Sequence, residues 1–453
     1  MHPQTLQACL ADLDSGLLQR DAAVRALLLA ALAGEHVLLI GPPGTAKSEL
    51  ARRLRGAFVG ARYFERLLTR FSVPEELFGP LSLQALENDR YERLTDGFLP
   101  TAQVAFLDEV FKANSAILNA LLTLLNEREF DNGSGRVPVP LITVVGASNE
   151  VPTDESLAAF FDRFLLRVPV AAVDDAHFGA LLALPPQPAA APARLCEADL
   201  QTLRQRAHAV TLPEPVVERL AAARVGCAAA GIGVSDRRWR KVVHLLRVMA
   251  ASRQADVIGP WDLWVLPLVL ADRPEQVPAL IEDFLREVGG AVPVDAQWLG
   301  RVADALERQL QIESSASAAG EDGAAGKLAL AQAIAGPAAE GQVLVRMVAE
   351  GARRRYSPLH IAARVAQAGE ARERAASACA VAVAEAERAR RGAAGHPWLP
   401  PSWRARIDAV HGANVDLLQA LHERLAAVAD AFAALPVDAA LAGPAPLPVP
   451  SDH

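Results

Sequence analysis

"HVLLIGPPGTAKSELARRL" (residues 36–54) decides the architecture. Val37 to Ile40 form a short apolar run that suits a buried strand, and "SELARRL" (48–54) opens a helix. A loop rich in glycine and proline lies between them. In this setting backbone N–H groups can close around phosphate oxygens while the helix N-terminus adds its positive end. The loop departs from G-x-x-x-x-G-K-[ST] in one respect. Ala46 stands where the second glycine is usual, and Gly41, Gly44, Lys47 and Ser48 set the frame. The expected phosphate-binding segment is Gly41, Pro42, Pro43, Gly44, Thr45, Ala46, Lys47, Ser48 and Glu49. Lys47 can reach the β- and γ-phosphates, and Ser48 can ligate magnesium. A ligand-free turn of the same composition looks similar, so the loop needs support from elsewhere.

"VAFLDEV" (104–110) supplies it. Four apolar residues read as a buried strand, and Asp108 and Glu109 stand at its carboxyl end, where open α/β sheets bind ligands. Asp108 is the expected magnesium ligand. Glu109 is the expected group that polarises an attacking water. A helix opening with acids is the competing reading, but it leaves the preceding strand unexplained. "ITVVGASNE" (142–150) is another buried strand with a polar end. On an adjacent parallel strand, Asn149 would lie beside Glu109; an asparagine in a plain turn is the bland alternative. Nucleotide binding follows. With no N-K-x-D stretch to read guanine, ATP is favoured over GTP.

Working outward, further apolar runs at 63–68 and 163–170 alternate with helical patterning such as Leu118, Leu121, Leu122 and Leu125. Strand–helix alternation predicts a parallel sheet covered on both faces, a three-layer αβα domain over 1–183. "LPPQPAAAPA" (184–193) reads as a linker. Helical segments near 197–209, 213–229, 235–253, 259–271 and 275–288 predict a helical lid over 194–290. A break poor in bulky apolar residues follows at 313–326. Long helical stretches at 358–392 and 402–434, separated by "GHPWLPPS", predict a helical hairpin or bundle within 291–434. Residues 338–350 fit a strand or a helix, and 435–453 read as a disordered proline-rich tail.

The chain has 453 residues, enough for several domains, and 51% are hydrophobic. A net charge of −8 and no basic tail argue against a nucleic-acid partner. Four dispersed cysteines form no CxxC pair, which fits a reducing compartment. The start lacks a basic-then-apolar leader, and the apolar stretch 22–40 carries Arg25, Glu35 and His36 and is broken at Gly34. The expectation is a cytoplasmic protein, not an integral membrane one.

Two arginines are ambiguous. Arg163 lies in "FFDRF" (160–164), and taken alone it reads as a core-edge arginine paired with Asp162. Arg237 lies in "SDRRW" (235–239), where Ser235 suits an N-cap. Periodicity predicts a buried stripe of Trp239, Val242, Val243, Leu246 and Ala250, which leaves Arg237, Lys241 and His244 on a solvated basic face.

Taken in order, "GPPGTAKS", "FLDEV", "GASNE", "DRF" and "SDRRW" resemble an AAA+ ATPase of the MoxR group. "LLTRFSVPEELFGPLSLQAL", "RYERLT" and "ILNALLTLLNERE" are similar to its RavA branch. The resemblance covers about 1–290. It implies a homo-oligomeric ring, a hexamer, with ATP and Mg²⁺ between subunits. It makes Lys47 the Walker A lysine, Asp108 and Glu109 the Walker B acids and Asn149 sensor 1. Arg237 is then the sensor 2 arginine, contacting the γ-phosphate from the lid helix. Arg163 is then an arginine finger acting on a neighbour's ATP. It also implies two insertions, one near 72–100 and a hairpin at 130–137 that carries its own Asn-Gly turn signal. A von Willebrand A-type protein is the expected partner. The RavA branch carries a β domain that contacts a lysine decarboxylase. Residues 312–358 leave no room for a full one, so that partnership is not expected. Three functions compete: a remodelling or chaperone-like ATPase, an ATP-dependent assembly switch or scaffold, and a DNA-processing ATPase, which the acidic balance disfavours.

Overall fold

The computed structural model describes residues 2–133, 135–152, 154, 157–184, 194–315 and 356–438. Segment 338–350, nearly all of the 184–193 linker, the break after 315 and the end of the tail lie outside them. Contacts divide the chain into two units, Met1–Gly290 with Arg391–Ile407, and Ala291–Arg390 with Asp408–His453.

The first unit is built on strands β1 (His36–Ile40), β2 (Tyr63–Leu67) and β3 (Val104–Asp108), a small pair β4 (Glu129–Asp131) and β5 (Arg136–Pro138), then β6 (Thr143–Ser148) and β7 (Phe164–Pro169). Five of these form the expected parallel sheet in the order β2-β3-β6-β1-β7. β1 and β6 are buried along their whole length, as strands covered on both faces must be.

Three helices open the unit: α1 (Pro3–Asp14), α2 (Asp21–Ala33) and α3 (Lys47–Gly56). Every residue of α2 from Ala23 onward is buried, and the helix stops at Gly34 in the left-handed conformation, φ 73°. The apolar stretch 22–40 is therefore a core helix followed by a core strand. No helix among the described residues is long and apolar enough to cross a membrane. The first insertion holds two short helices, α4 (Pro74–Phe78) and α5 (Leu83–Leu86). Helix α6 (Ser115–Glu127) then covers one face of the sheet, packing Ile117, Leu118, Leu121 and Leu124 on Leu38, Leu107 and Val144. The β4–β5 pair turns at Asn132-Gly133. Gly133 has φ 79°, and a Cβ there would lie 1.8 Å from the Tyr91 carbonyl oxygen, so only glycine lets the hairpin tip meet the first insertion.

His36 opens β1 in full burial. Its Nδ1 accepts from the Val144 N–H at 3.0 Å, which leaves Nε2 to donate to the Leu125 carbonyl at 3.1 Å. Burial pushes its pKa well below the ordinary histidine value. The unfolded chain then binds a proton that the folded one does not. Stability is expected to fall as pH drops below about 6.5, by up to ~1.4 kcal/mol per unit from this residue. Urea midpoints at pH 7.5 and 5.5 check this. His36→Gln should flatten the dependence, and an equal slope in both proteins would remove His36 as its cause.

Two short helices, α7 (Ala158–Phe161) and α8 (Phe178–Leu182), flank β7. Helices α9 (Glu197–Ala209), α10 (Glu214–Ala229), α11 (Asp236–Ser252), α12 (Leu266–Leu270) and α13 (Val277–Glu287) follow over the segment expected to form the lid. The buried stripe of α11 differs from the periodicity reading: Arg238, not Trp239, heads it, followed by Val242, Leu245, Leu246 and Met249. Burial of this charge is tolerated because every arm of the guanidinium is satisfied. It donates to Asp162 at 3.0 Å and to the carbonyls of Val269, Phe164 and Leu165. On the opposite face Arg237 is exposed, but the other two residues are engaged. Lys241 pairs with Glu35 at 2.6 Å, and His244 reaches the Ala33 carbonyl.

"GHPWLPPS" does more than separate two helices. Trp398 is fully buried and donates to Ser252 Oγ at 2.8 Å; His396 meets Asp262 at 2.9 Å; Trp403 packs edge-on against Trp264. These contacts place Arg391–Ile407 in the first unit. In the second unit a helix at 297–315 and the greater parts of helices Pro358–Ala394 and Pro401–Ala433 share one core. Ala368, Ala371, Ala375 and Ala382 line it at helical spacing against Leu418, Leu421 and Leu425.

Candidate active site

The loop after β1 sits at the carboxyl edge of the sheet. Gly41 is required there: a Cβ would lie 2.0 Å from the Val170 carbonyl oxygen. Gly44 (φ 79°) and Ala46 (φ 68°) both take the left-handed conformation. The alanine that breaks the usual motif therefore keeps the backbone shape a glycine would have, at a cost of about 1 kcal/mol. Helix α3 starts directly after it with Lys47 and Ser48. Buried Arg20 braces the loop by donating to the carbonyls of Thr45 and Ala171.

Lys47 Nζ donates to the carbonyls of Gly41 at 2.6 Å and Pro42 at 2.8 Å, and to Asn149 Oδ1 at 3.3 Å. Burial lowers its pKa, while Asp108 and Glu109 pull it upward. Asn149 Nδ2 donates to Glu109 Oε1 at 2.6 Å. This follows from topology, because β6 lies between β3 and β1 and its end must fall between theirs. Glu109 has φ 51°, which turns the chain sharply out of β3; its second oxygen meets Lys112 at 3.2 Å. Asp108 Oδ1 accepts from the Glu109 N–H at 3.0 Å. The structure thus brings Lys47, Asn149 and Glu109 into one hydrogen-bonded chain.

Arg163 and Arg237 lie elsewhere. Strand β7 begins at Phe164, which pairs with His36, so Arg163 sits at the amino edge of the sheet. Its guanidinium approaches Asp162 only to 4.0 Å, since that carboxylate is committed to Arg238 at 3.0 Å. Burial, then the charge of Arg237, lower its pKa against the pull of Asp162. Arg237 donates to Asn126, next to the Leu125 carbonyl that holds His36. Both arginines therefore stand about 13 Å of strand away from the phosphate loop of their own chain. This places Arg237 near the opposite end of β1 from Lys47, beside Asn126.

Sequence reasoning missed three more arginines. Arg20 and Arg238 are buried, and charge at a core position leaves no periodic signal. Arg167, inside β7, lies 3.8 Å over the Phe161 ring and bonds the Ala271 carbonyl and Asp272 at 2.7 Å, tying the lid to the sheet. Burial pushes its pKa down to about 9.

A parallel αβα sheet with a phosphate loop, paired acids, a bridging asparagine and a helical lid defines a AAA+ domain. Residues 4–203 match the profile of the "MoxR domain in the MoxR-vWA-beta-propeller ternary systems", and 216–284 match a AAA lid domain. The uncharacterized protein MJ0812 of Methanocaldococcus jannaschii is 39% identical over 268 residues, covering 58% of this chain and 71% of the relative. Chaperone MoxR1 of Mycobacterium tuberculosis is 28% identical over 170 residues, 37% of this chain and 44% of that one. The solved structure of a candidate ATPase from Cytophaga hutchinsonii superposes with a TM-score of 0.51 at 19% identity, covering 63% of this chain and 94% of that one, and shows the shared fold. The chain carries a MoxR-family AAA+ domain followed by a AAA lid.

Proposed function

We propose that this protein hydrolyses ATP and works as a ring-forming, chaperone-like remodelling or complex-maturation machine. The observation that carries the reading is the chain Lys47–Asn149–Glu109 at the carboxyl edge of the sheet, with contacts of 3.3 and 2.6 Å. Lys47 and the loop amides would hold the β- and γ-phosphates. Glu109 would take the proton of the attacking water, oriented by Asn149.

Ser48 and Asp108 offer hard oxygen donors suited to Mg²⁺, which would neutralise phosphate charge. No cluster of three or more metal-binding side chains exists among the described residues, which fits an ion that takes its other ligands from phosphates and water. Arg163 and Arg237 form a pair of neighbouring cations remote from their own site. This favours service to a nucleotide on the next copy, a head-to-tail contact that closes into a ring. Six subunits rest on the family resemblance. So does the RavA-type branch, carried by the stretches quoted above; the matching profile is named for MoxR-vWA-beta-propeller systems instead. That name supports a von Willebrand A-type partner. A lysine decarboxylase is not proposed.

Phosphate release by the full chain tests the reading. The wild-type protein should turn over ATP, and Lys47→Ala should lower turnover by about 10²-fold or more. Absence of turnover in the wild-type protein, with or without a von Willebrand A-type partner, would contradict it.

A further inference from the structure

The displacement of Arg237 to the amino edge leaves a question on the opposite one: which group of the lid meets the nucleotide of its own chain? A cavity of about 520 Å³ opens beside the phosphate loop. Its sheet side is formed by Ile40, the last residue of β1, and by Asn149–Pro152, following β6; its lid side is formed by Arg273, Pro274 and Glu275. Asn149 is the residue that links Lys47 to Glu109. A γ-phosphate held by Lys47 and Asn149 would therefore lie next to this cavity.

Arg273 is the cation on that wall. It is exposed, and its guanidinium has no partner among the described residues. Its backbone is firmly placed. Arg167 holds the carbonyl of Ala271 and the carboxylate of Asp272. Gln276 Oε1 accepts from the N–H groups of Asp272 and Arg273. A free guanidinium on an anchored turn is arranged to receive an anion. Glu150 and Glu275 line the same cavity and would repel a polyphosphate unless a cation stood with them. Helix α11, where the motif resemblance points, cannot supply that cation, because it docks on Glu35 and Ala33 at the other end of β1.

We infer that Arg273 is the lid's contact to the γ-phosphate of the nucleotide bound in its own chain, and so distinguishes ATP from ADP. This rests on the nucleotide reading of the Lys47 loop. The lid would then sense hydrolysis directly, since losing the γ-phosphate releases Arg273, and the anchored turn is continuous with α12 and α13.

Equilibrium titration of the full-length protein with fluorescent ATP and ADP analogues, without turnover, tests this. Arg273→Ala should weaken ATP by roughly 10- to 100-fold, the range for one charge-assisted contact to phosphate, and ADP by less than about threefold. Arg273→Lys should recover part of the ATP affinity. Equal weakening of both nucleotides, or no change in either, would overturn the assignment. Lys47→Ala separates this from its foundation. It should weaken both nucleotides, and if it weakens neither, the nucleotide reading of the loop fails and takes the Arg273 role with it.

Discussion

Glu109→Gln is expected to lower ATP turnover by about 10²- to 10⁴-fold while leaving ATP binding intact. The substitution keeps the size of the side chain, and its amide oxygen can still accept from Asn149, which holds Glu109 Oε1 at 2.6 Å. It removes the negative charge that takes a proton from water. Phosphate-release kinetics and nucleotide titration on the same sample check both halves. Loss of binding would mean that Glu109 supports the loop. Unchanged turnover would mean that the base lies elsewhere. The same variant separates a motor from a switch: an ATP-loaded, hydrolysis-dead assembly should hold its partner without remodelling it, whereas full function in that state would favour a scaffold.

Arg163→Ala is expected to cost more, on the order of 10³-fold or greater in turnover, because an arginine finger stabilises charge that develops on the transferring phosphoryl group. ATP affinity of the dilute protein should remain near the wild-type value, since the side chain lies at the amino edge of its own sheet. Structural damage should be small. Among the described residues Arg163 approaches Asp162 only to 4.0 Å, and its buried Nε meets no hydrogen-bond partner there. Arg238→Ala is the contrasting case. It would remove the hydrogen bonds that Arg238 gives to Asp162 and to three carbonyls from a buried position, and should destabilise the fold itself.

These two arginines show where a sequence is legible. The phosphate loop, the two acids and Asn149 could be read directly because each follows a short apolar run, and a parallel sheet converts strand ends into neighbours. The helices of the lid were legible from the helical spacing of their apolar residues. Periodicity could not tell which arginine of the Arg237–Arg238 pair is buried. It assigns charge to the solvent side, whereas the fold places Arg238 among carbonyls contributed by residues dozens of positions away. It also left Lys241 and His244 on a free face, although Glu35 and Ala33 meet them. Arg273 carries no local signal at all; its meaning comes from the turn that Arg167 holds against β7. The anchor at His396, Trp398 and Trp403 was hidden likewise, because a proline-rich break between helices looks like a spacer until its partners Asp262, Ser252 and Trp264 are known.

The central claim, that one copy's Arg163 serves the ATP held by another copy's Lys47 and Glu109, is tested most directly by mixing two inactive variants. Arg163→Ala subunits keep a complete nucleotide site, and Glu109→Gln subunits keep the finger. If the finger acts across a head-to-tail interface, equal mixing should restore turnover at about one site in four. No recovery in assemblies shown to contain both variants, with each variant inactive alone, would contradict it.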